Sequence, residues 1–192
     1  MIKSDTLIYL ASRSPRRRKL LKQLGIIFRS FSVNTIEEVL DGEHPVDCVK
    51  RLALEKMNRA KKNVRNSIII TADTIVVLDK EVIGKPKNRK DAINILSLLS
   101  GRVHTVYTGF CVFNQKTNKS IIDFEKTKVE FRTINKDEII DYVESGSPMD
   151  KAGAYGIQDD FGAVFVKRID GCYYNVVGLP LTKLYNALRK LT

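Results

Sequence analysis

The chain has 192 residues, with 33 Lys and Arg against 22 Asp and Glu and a formal net charge of +11 at pH 7. That excess favours an anionic partner: a phosphorylated metabolite, a nucleic acid or an anionic surface. Three cysteines without metal spacing and only two histidines argue against a Cys/His zinc centre and a Ser/His/Asp triad. No apolar run reaches the length of a membrane span, and an odd cysteine count with no leader pattern at the start suggests a reducing, cytoplasmic setting.

The elements follow in chain order. Leu7 to Ala11 reads as a short buried strand, and it runs directly into Ser12-Arg13-Ser14-Pro15. Ser14 suits a helix N-cap, Pro15 the first helical position and Gly25 the C-terminal stop. Ile27 to Val33 alternates like a strand, and Asn34 to His44 is an acidic loop with Glu37, Glu38, Asp41 and Glu43. A helix over 45–62 places Val49, Leu52, Ala53, Lys56 and Ala60 near helical spacing. Ser67 to Ala72 is an apolar strand of the kind buried on both faces. Ile75–Leu78 and Glu81–Ile83 flank Asp79-Lys80, which predicts a hairpin.

A third helix starts at Asn88 and ends near Ser100-Gly101. Val103–Asn114 and Lys119–Arg132 predict two long strands around the turn Gln115–Asn118. Lys136–Glu144 predicts a short helix, Gly162–Lys167 a late strand and Pro180–Leu191 a closing helix. Helices alternating with strands and long hairpins point to an α/β protein with a mixed sheet.

The most informative segment is the start of the first helix. Arg16, Arg17 and Arg18 occupy a first turn whose exposed N–H groups already present positive charge, an unfavourable place for cations by roughly 0.3–1 kcal/mol each. An anion over that turn resolves the conflict, because N–H groups, serine hydroxyls and guanidinium forks together cradle a phosphate. A basic, solvated first turn is the alternative. Walker and dinucleotide glycine fingerprints are absent.

Asp73 follows the apolar strand in Thr71-Ala72-Asp73-Thr74, at what reads as its C-terminal end. A carboxylate there either holds a divalent metal and orients a water as general base, or simply joins two strands in a turn. Glu37 and Glu38 either supply further oxygen ligands, since Mg²⁺ on a nucleotide requires only one or two protein carboxylates, or are solvated loop acids. Lys56, near the apolar stripe of its helix, either snorkels to solvent or meets an anion. Lys85, in Gly84-Lys85-Pro86, is a compact charge suited to a phosphate or to a solvated turn. His104 and Tyr107 read as residues that shape the entry to a strand. In Asp150–Gln158, small residues allow close backbone approach, Tyr155 could stack on a base, and Gln158 offers both a donor and an acceptor to a base edge.

Together these segments resemble the Maf family of nucleotide pyrophosphatases along essentially the whole chain. The likeness rests on Leu10–Arg17, Arg51-Leu52-Ala53 with Lys56, Ala72-Asp73-Thr74 and Gly84-Lys85-Pro86. It continues through Ser100-Gly101, His104–Val106, Thr108-Gly109, Asp150–Gly153 and Asn175–Leu181. The resemblance implies a single Maf-like domain over 1–192. Its expected fold is a mixed, strongly twisted α/β sheet with helices in two lobes around a central cleft, related to that of inosine triphosphatases. It also implies metal-dependent cleavage of nucleoside triphosphates to monophosphate and pyrophosphate.

On that likeness Ser12, Arg16, Arg17, Lys56 and Lys85 would hold phosphates, and Asp73, with Glu37, would hold Mg²⁺ or Mn²⁺. Asp73 would also activate the attacking water. Arg16, Thr74 and Gln158 fit the pattern of the subclass similar to dTTP/UTP pyrophosphatases, rather than the one acting on 7-methyl-GTP. After Gln158 the chain departs from that pattern with Asp159-Asp160-Phe161-Gly162, where a smaller, glycine-bearing link is expected. Modified pyrimidine nucleotides and a homodimer are compatible with the reading, and no specific nucleic-acid or membrane partner is expected. The competing readings are a nucleic-acid-binding protein, suggested by the charge, and a cell-division regulator acting through partners. The first would spread basic residues along a face with interleaved aromatics, whereas here the arginines bunch at one helix start and Trp is absent.

Overall fold

A computed structural model describes residues 6–158 and 161–192. β1 (Ile8–Ala11) feeds α1 (Pro15–Gln23), which is capped by the Ser14 hydroxyl accepting from the Arg17 N–H at 3.3 Å. Gly25 stops the helix with φ +66, a left-handed conformation that costs glycine nothing. β2 (Phe28–Phe31) and α2 (Pro45–Ala60) follow, and the segment between them has neither helix nor strand. β3 (Ile68–Leu78) turns into β4 (Glu81–Ile83) through Asp79 and Lys80, which take φ +49 and +74 as a tight two-residue hairpin requires.

α3 (Arg89–Leu99) is capped by Asn88, whose side chain accepts from the Asp91 N–H at 2.9 Å. β5 (Val103–Asn114) and β6 (Lys119–Phe131) are long neighbours in the sheet. α4 (Lys136–Glu144) opens on a capping box of Asn135 and Glu138. After short 3₁₀ turns come β7 (Val166–Asp170), α5 (Tyr173–Val177) and α6 (Leu181–Leu191).

The strands form one seven-stranded sheet in the order β2-β1-β3-β5-β6-β7, with β4 on β3. β1 pairs in parallel with β2 and β3, while β3–β4 and β6–β7 are antiparallel. The mixed α/β architecture is therefore the one expected. The chain divides into two compact units. The first takes the residues up to Asp73 with Thr108–Glu125 and Gly178–Thr192; the second takes Thr74–Tyr107 and Lys126–Val177.

In the first unit, Ala11, Ala53, Met57, Ala60, Ile69 and Cys111 pack a small core between α2 and the strands. The approach is close. A Cβ on Gly109 would stand 2.3 Å from the Val49 carbonyl oxygen, so the β5–α2 contact admits only glycine there. The second unit has a larger core around Leu96, Leu99, Phe131, Tyr142 and Phe165, with Tyr142 and Phe165 ring centroids 5.2 Å apart.

Two expectations are corrected. Asp73 does not terminate a strand or sit in a turn: β3 runs unbroken from Ile68 to Leu78, and Asp73 lies inside it. Two separate apolar runs had suggested two strands, but sheet pairing on both sides of Asp73 carries the strand through the polar residues. The late strand begins at Val166 rather than Gly162. Residues 161–165 form a 3₁₀ turn that buries Phe165 among aromatics, and pairing with β6 starts only after it.

Candidate functional site

In the first unit the site grows from β1. Ser12 follows its last residue and is buried, and its hydroxyl oxygen accepts from the Ser14 N–H at 3.2 Å. Ser14 in turn caps α1, so the two serine hydroxyls order the turn that carries the arginines. Arg16 is half-buried in the first turn of α1.

Arg17 is engaged with the protein itself. Its Nε donates to the Gly178 carbonyl at 2.8 Å and an Nη to the Ala72 carbonyl at 2.9 Å. The guanidinium thus bolts the α1 turn to the strand residue just before Asp73. Desolvation pulls its pKa below the ordinary value, and the charges of Asp73 and then Glu37 push it back up. Arg13 bonds the Asn34 side chain, and Arg18 donates to the Arg13 carbonyl at 3.1 Å.

Lys56 is the centre of the charge arrangement. Only 7% of the residue is exposed, and its ammonium donates both to Asp73, itself 5% exposed, and to Glu37 at 2.7 Å. Of the two expectations it therefore meets an anion rather than snorkelling, and it joins two carboxylates. The registry comes from β3 and α2: the Thr71 hydroxyl donates to the Ala53 carbonyl at 2.7 Å, one turn before Lys56. Two carboxylates against one ammonium leave the trio at −1, and the Arg17 guanidinium, which feels both Asp73 and Glu37, brings the local sum to zero. Among the described residues no group of three or more His, Cys, Asp and Glu is arranged to hold a metal ion. Any cation here would take at most these two carboxylates and complete its shell from substrate and water oxygens.

The other predicted residues lie in the second unit. Thr74 is half-buried on β3, and Lys85 is exposed beside buried Pro86. The Gly84 carbonyl accepts from the Gly153 N–H at 3.1 Å, which ties the Lys85 turn to the Asp150–Gln158 loop. Gly153 takes φ +72 with a Val76 methyl 3.0 Å from where a Cβ would be, so the loop is drawn tight against β3. Gln158 is half-buried, and its Oε1 is screened from solvent with no hydrogen-bond partner. An acceptor left in that state is costly unless a ligand donor reaches it. Asp159 and Asp160 lie outside the described residues.

Tyr155 is corrected from a base-stacking role. It is buried, with its hydroxyl 2.8 Å from the His104 Nε2 and its ring edge-on to Phe131. Burial pushes the tyrosine pKa up and lowers that of His104 to about 4, so the pair is neutral near pH 7. His104 is the second residue of β5, with its ring edge-on to Phe131 and Tyr155.

Arg51, read only as part of a motif, has a larger role than the sequence suggested. It binds both oxygens of Glu43 at 2.7 and 2.6 Å, Glu55 at 2.9 Å and the Glu38 carbonyl at 2.9 Å. Its i,i+4 spacing to Glu55 was a readable signal; its reach to Glu43 and Glu38 was not. No helix among the described residues is long and apolar enough to cross a membrane.

Comparison with known proteins bears on this geometry. A family model described as Maf-like protein matches residues 7–191. A dTTP/UTP pyrophosphatase of Aquifex aeolicus (strain VF5) is 49% identical over 184 residues, covering 96% of this chain and 95% of its own. One of Dictyoglomus thermophilum (strain ATCC 35947 / DSM 3960 / H-6-12) is 48% identical, with coverage of 96% and 95%. One of Thermoanaerobacter sp. (strain X514) is 47% identical, with coverage of 95% of each.

Proposed function

The chain belongs to the Maf family, and from that premise we propose that it is a pyrophosphatase converting dTTP and UTP to the monophosphate and pyrophosphate. The observation that carries the chemistry is the buried Lys56–Asp73 pair with Glu37 on the same ammonium. Those two carboxylates are hard oxygen donors, which suits Mg²⁺ or Mn²⁺. When bound, such a cation offsets phosphate charge and polarises the phosphoryl oxygens.

The protein's own residues have distinct parts in this reading. Water attacks the α-phosphorus, the bond to the bridging oxygen breaks, and pyrophosphate leaves with the electron pair. Asp73, held through Oδ1 by Lys56, takes the water's proton on Oδ2. Ser12 orients phosphate oxygens beside the α1 turn, and Arg16 supplies charge to them. Arg17, bonded to Ala72 and Gly178, contributes its charge while fixing the turn. Lys85 is assigned to the phosphates, and Thr74 with Gln158 to the pyrimidine. Cytoplasmic placement and a homodimer are compatible with this reading, and neither nucleic acid nor membrane is required for the reaction.

Uracil and thymine present an N–H between two carbonyls, so Gln158 Oε1 can accept from that N–H. Cytosine has an acceptor at the same position and would leave the carboxamide oxygen buried and unpaired, at about 1–3 kcal/mol. Product chromatography and a substrate panel test the proposal. UMP with pyrophosphate from UTP, and slower turnover of CTP and GTP, are expected. Nucleoside diphosphate with orthophosphate as first products would refute the reaction, and GTP or CTP turned over as fast as UTP would refute the substrate class. Gln158→Ala should narrow the UTP/CTP ratio of kcat/KM by roughly 5–150-fold, the equivalent of that penalty.

A further inference from the structure

Glu37 poses a structural problem. It sits in a segment with neither helix nor strand, yet its carboxylate lies 2.7 Å from a buried ammonium. Its side chain is 41% exposed, so burial does not hold it there. A loop carboxylate keeps such a geometry only if its backbone is tethered close by, because ordering the loop costs about 1–2 kcal/mol per residue.

At the start of the loop Arg59 donates to the Asn34 carbonyl at 2.5 Å, and the tether beyond Glu37 is Arg51. Its fork takes both oxygens of Glu43, at the far end of the loop, and one Nη also donates to the carbonyl of Glu38, the residue next to Glu37. A second Nη is fixed on Glu55 at 2.9 Å. The loop is folded back on itself by the Glu43 N–H donating to the Leu40 carbonyl at 3.1 Å. Arg51 and Lys56 stand on the same helix, so one rigid element sets both the ammonium and the loop delivered to it. Glu43 is held below the usual carboxylate range, first by the Arg51 hydrogen bonds, so the clamp is a charged pair.

We propose that Arg51 is a positioning residue: its bidentate clamp on Glu43 and its bond to the Glu38 carbonyl set Glu37 beside Lys56 and Asp73, and thereby set the affinity for the divalent cation. This rests on the assignment of Glu37 and Asp73 to that cation. Partners of this kind behind a metal ligand change affinity by about 10–100-fold when removed. A purely structural role for Arg51 would lower the melting temperature and leave cation affinity alone.

The test is Mn²⁺ binding by the full chain, followed by electron paramagnetic resonance of free Mn²⁺ with a non-hydrolysable UTP analogue present. The variants are Arg51→Gln, Glu37→Gln, the double variant, and Glu43→Gln as a milder break of the clamp. Arg51→Gln and Glu37→Gln should each weaken Mn²⁺ binding by about 10–100-fold, with the double variant no weaker than Glu37→Gln. Glu43→Gln should move in the same direction with near-parent melting. Arg51→Lys, which keeps the charge and loses the fork, should not restore affinity. Parent-like Mn²⁺ affinity in both Arg51→Gln and Glu43→Gln, beside a weakened Glu37→Gln, overturns the positioning role. So do losses that simply add in the double variant. An unchanged Glu37→Gln is a different failure: it removes Glu37 from the cation site, and the Arg51 role with it.

Discussion

Replacing Lys56 with Met keeps a long unbranched stem in the apolar stripe of α2 and removes the ammonium. Two ion pairs are lost, and they are not equal. The Lys56 and Asp73 side chains are only 9% and 6% exposed, whereas Glu37 is 41% exposed. The Glu37 pair therefore counts as a partly solvated bridge, worth about 0–1 kcal/mol. The Asp73 pair is buried, and removing one partner leaves a carboxylate in a desolvated strand, at about 3–5 kcal/mol. The buried term decides the outcome. For a chain of this length each kcal/mol lowers Tm by about 2–4 °C, so Lys56→Met should melt roughly 6–20 °C below the parent.

The double variant Lys56→Met/Asp73→Asn separates the charge term from packing. With no carboxylate left stranded, it should recover about 0.5–3 kcal/mol relative to the sum of the single changes. Urea titrations of all four proteins, compared at equal m-values, measure this. A Lys56→Met cost under about 1 kcal/mol, or strict additivity in the cycle, would refute the claim that this pair is a tightly coupled, desolvated unit.

Asp73→Asn alone should lower kcat by at least about a hundredfold while circular dichroism stays that of the parent, because the amide keeps the volume but cannot take a proton. Steady-state kinetics at saturating Mg²⁺ decide it; a near-parent rate would show Asp73 to be structural only. His104 gives a pH signature. Its folded pKa of about 4 lies below the ordinary 6.5, so its stabilising contribution is complete above about pH 6.5 and is lost as pH falls toward 4. The loss amounts to roughly 3 kcal/mol across that window, and His104→Gln should flatten the urea-derived stability profile between pH 6.5 and 4. An unchanged slope would place the proton uptake elsewhere.

What the chain states locally, it states legibly. The Ser14 cap with Pro15, the helix start at Asn88 and the Asp79-Lys80 hairpin each close within about one helical turn or one tight turn, so a few neighbouring side chains suffice to specify them. The apolar stripe of α2 likewise identified the face that Val49, Leu52, Ala53 and Ala60 bury. Ser12, Arg16, Arg17, Lys56 and Asp73 are legible as candidates because such residue types are chemically conspicuous in their settings.

Their partners were decided only by the tertiary structure. Lys56 meets Asp73 and Glu37 across 17 and 19 residues, and Arg17 reaches carbonyls 55 and 161 residues away. Nothing in the local pattern tells a lysine that will snorkel from one that will be buried between carboxylates. The same limit applied to Asp73, whose strand continues because neighbouring strands pair with it, and to Tyr155, which turned inward to His104. A charged or polar group has no fixed cost of its own: desolvation sets the penalty, and only the groups that folding brings within hydrogen-bond reach determine whether that penalty is met.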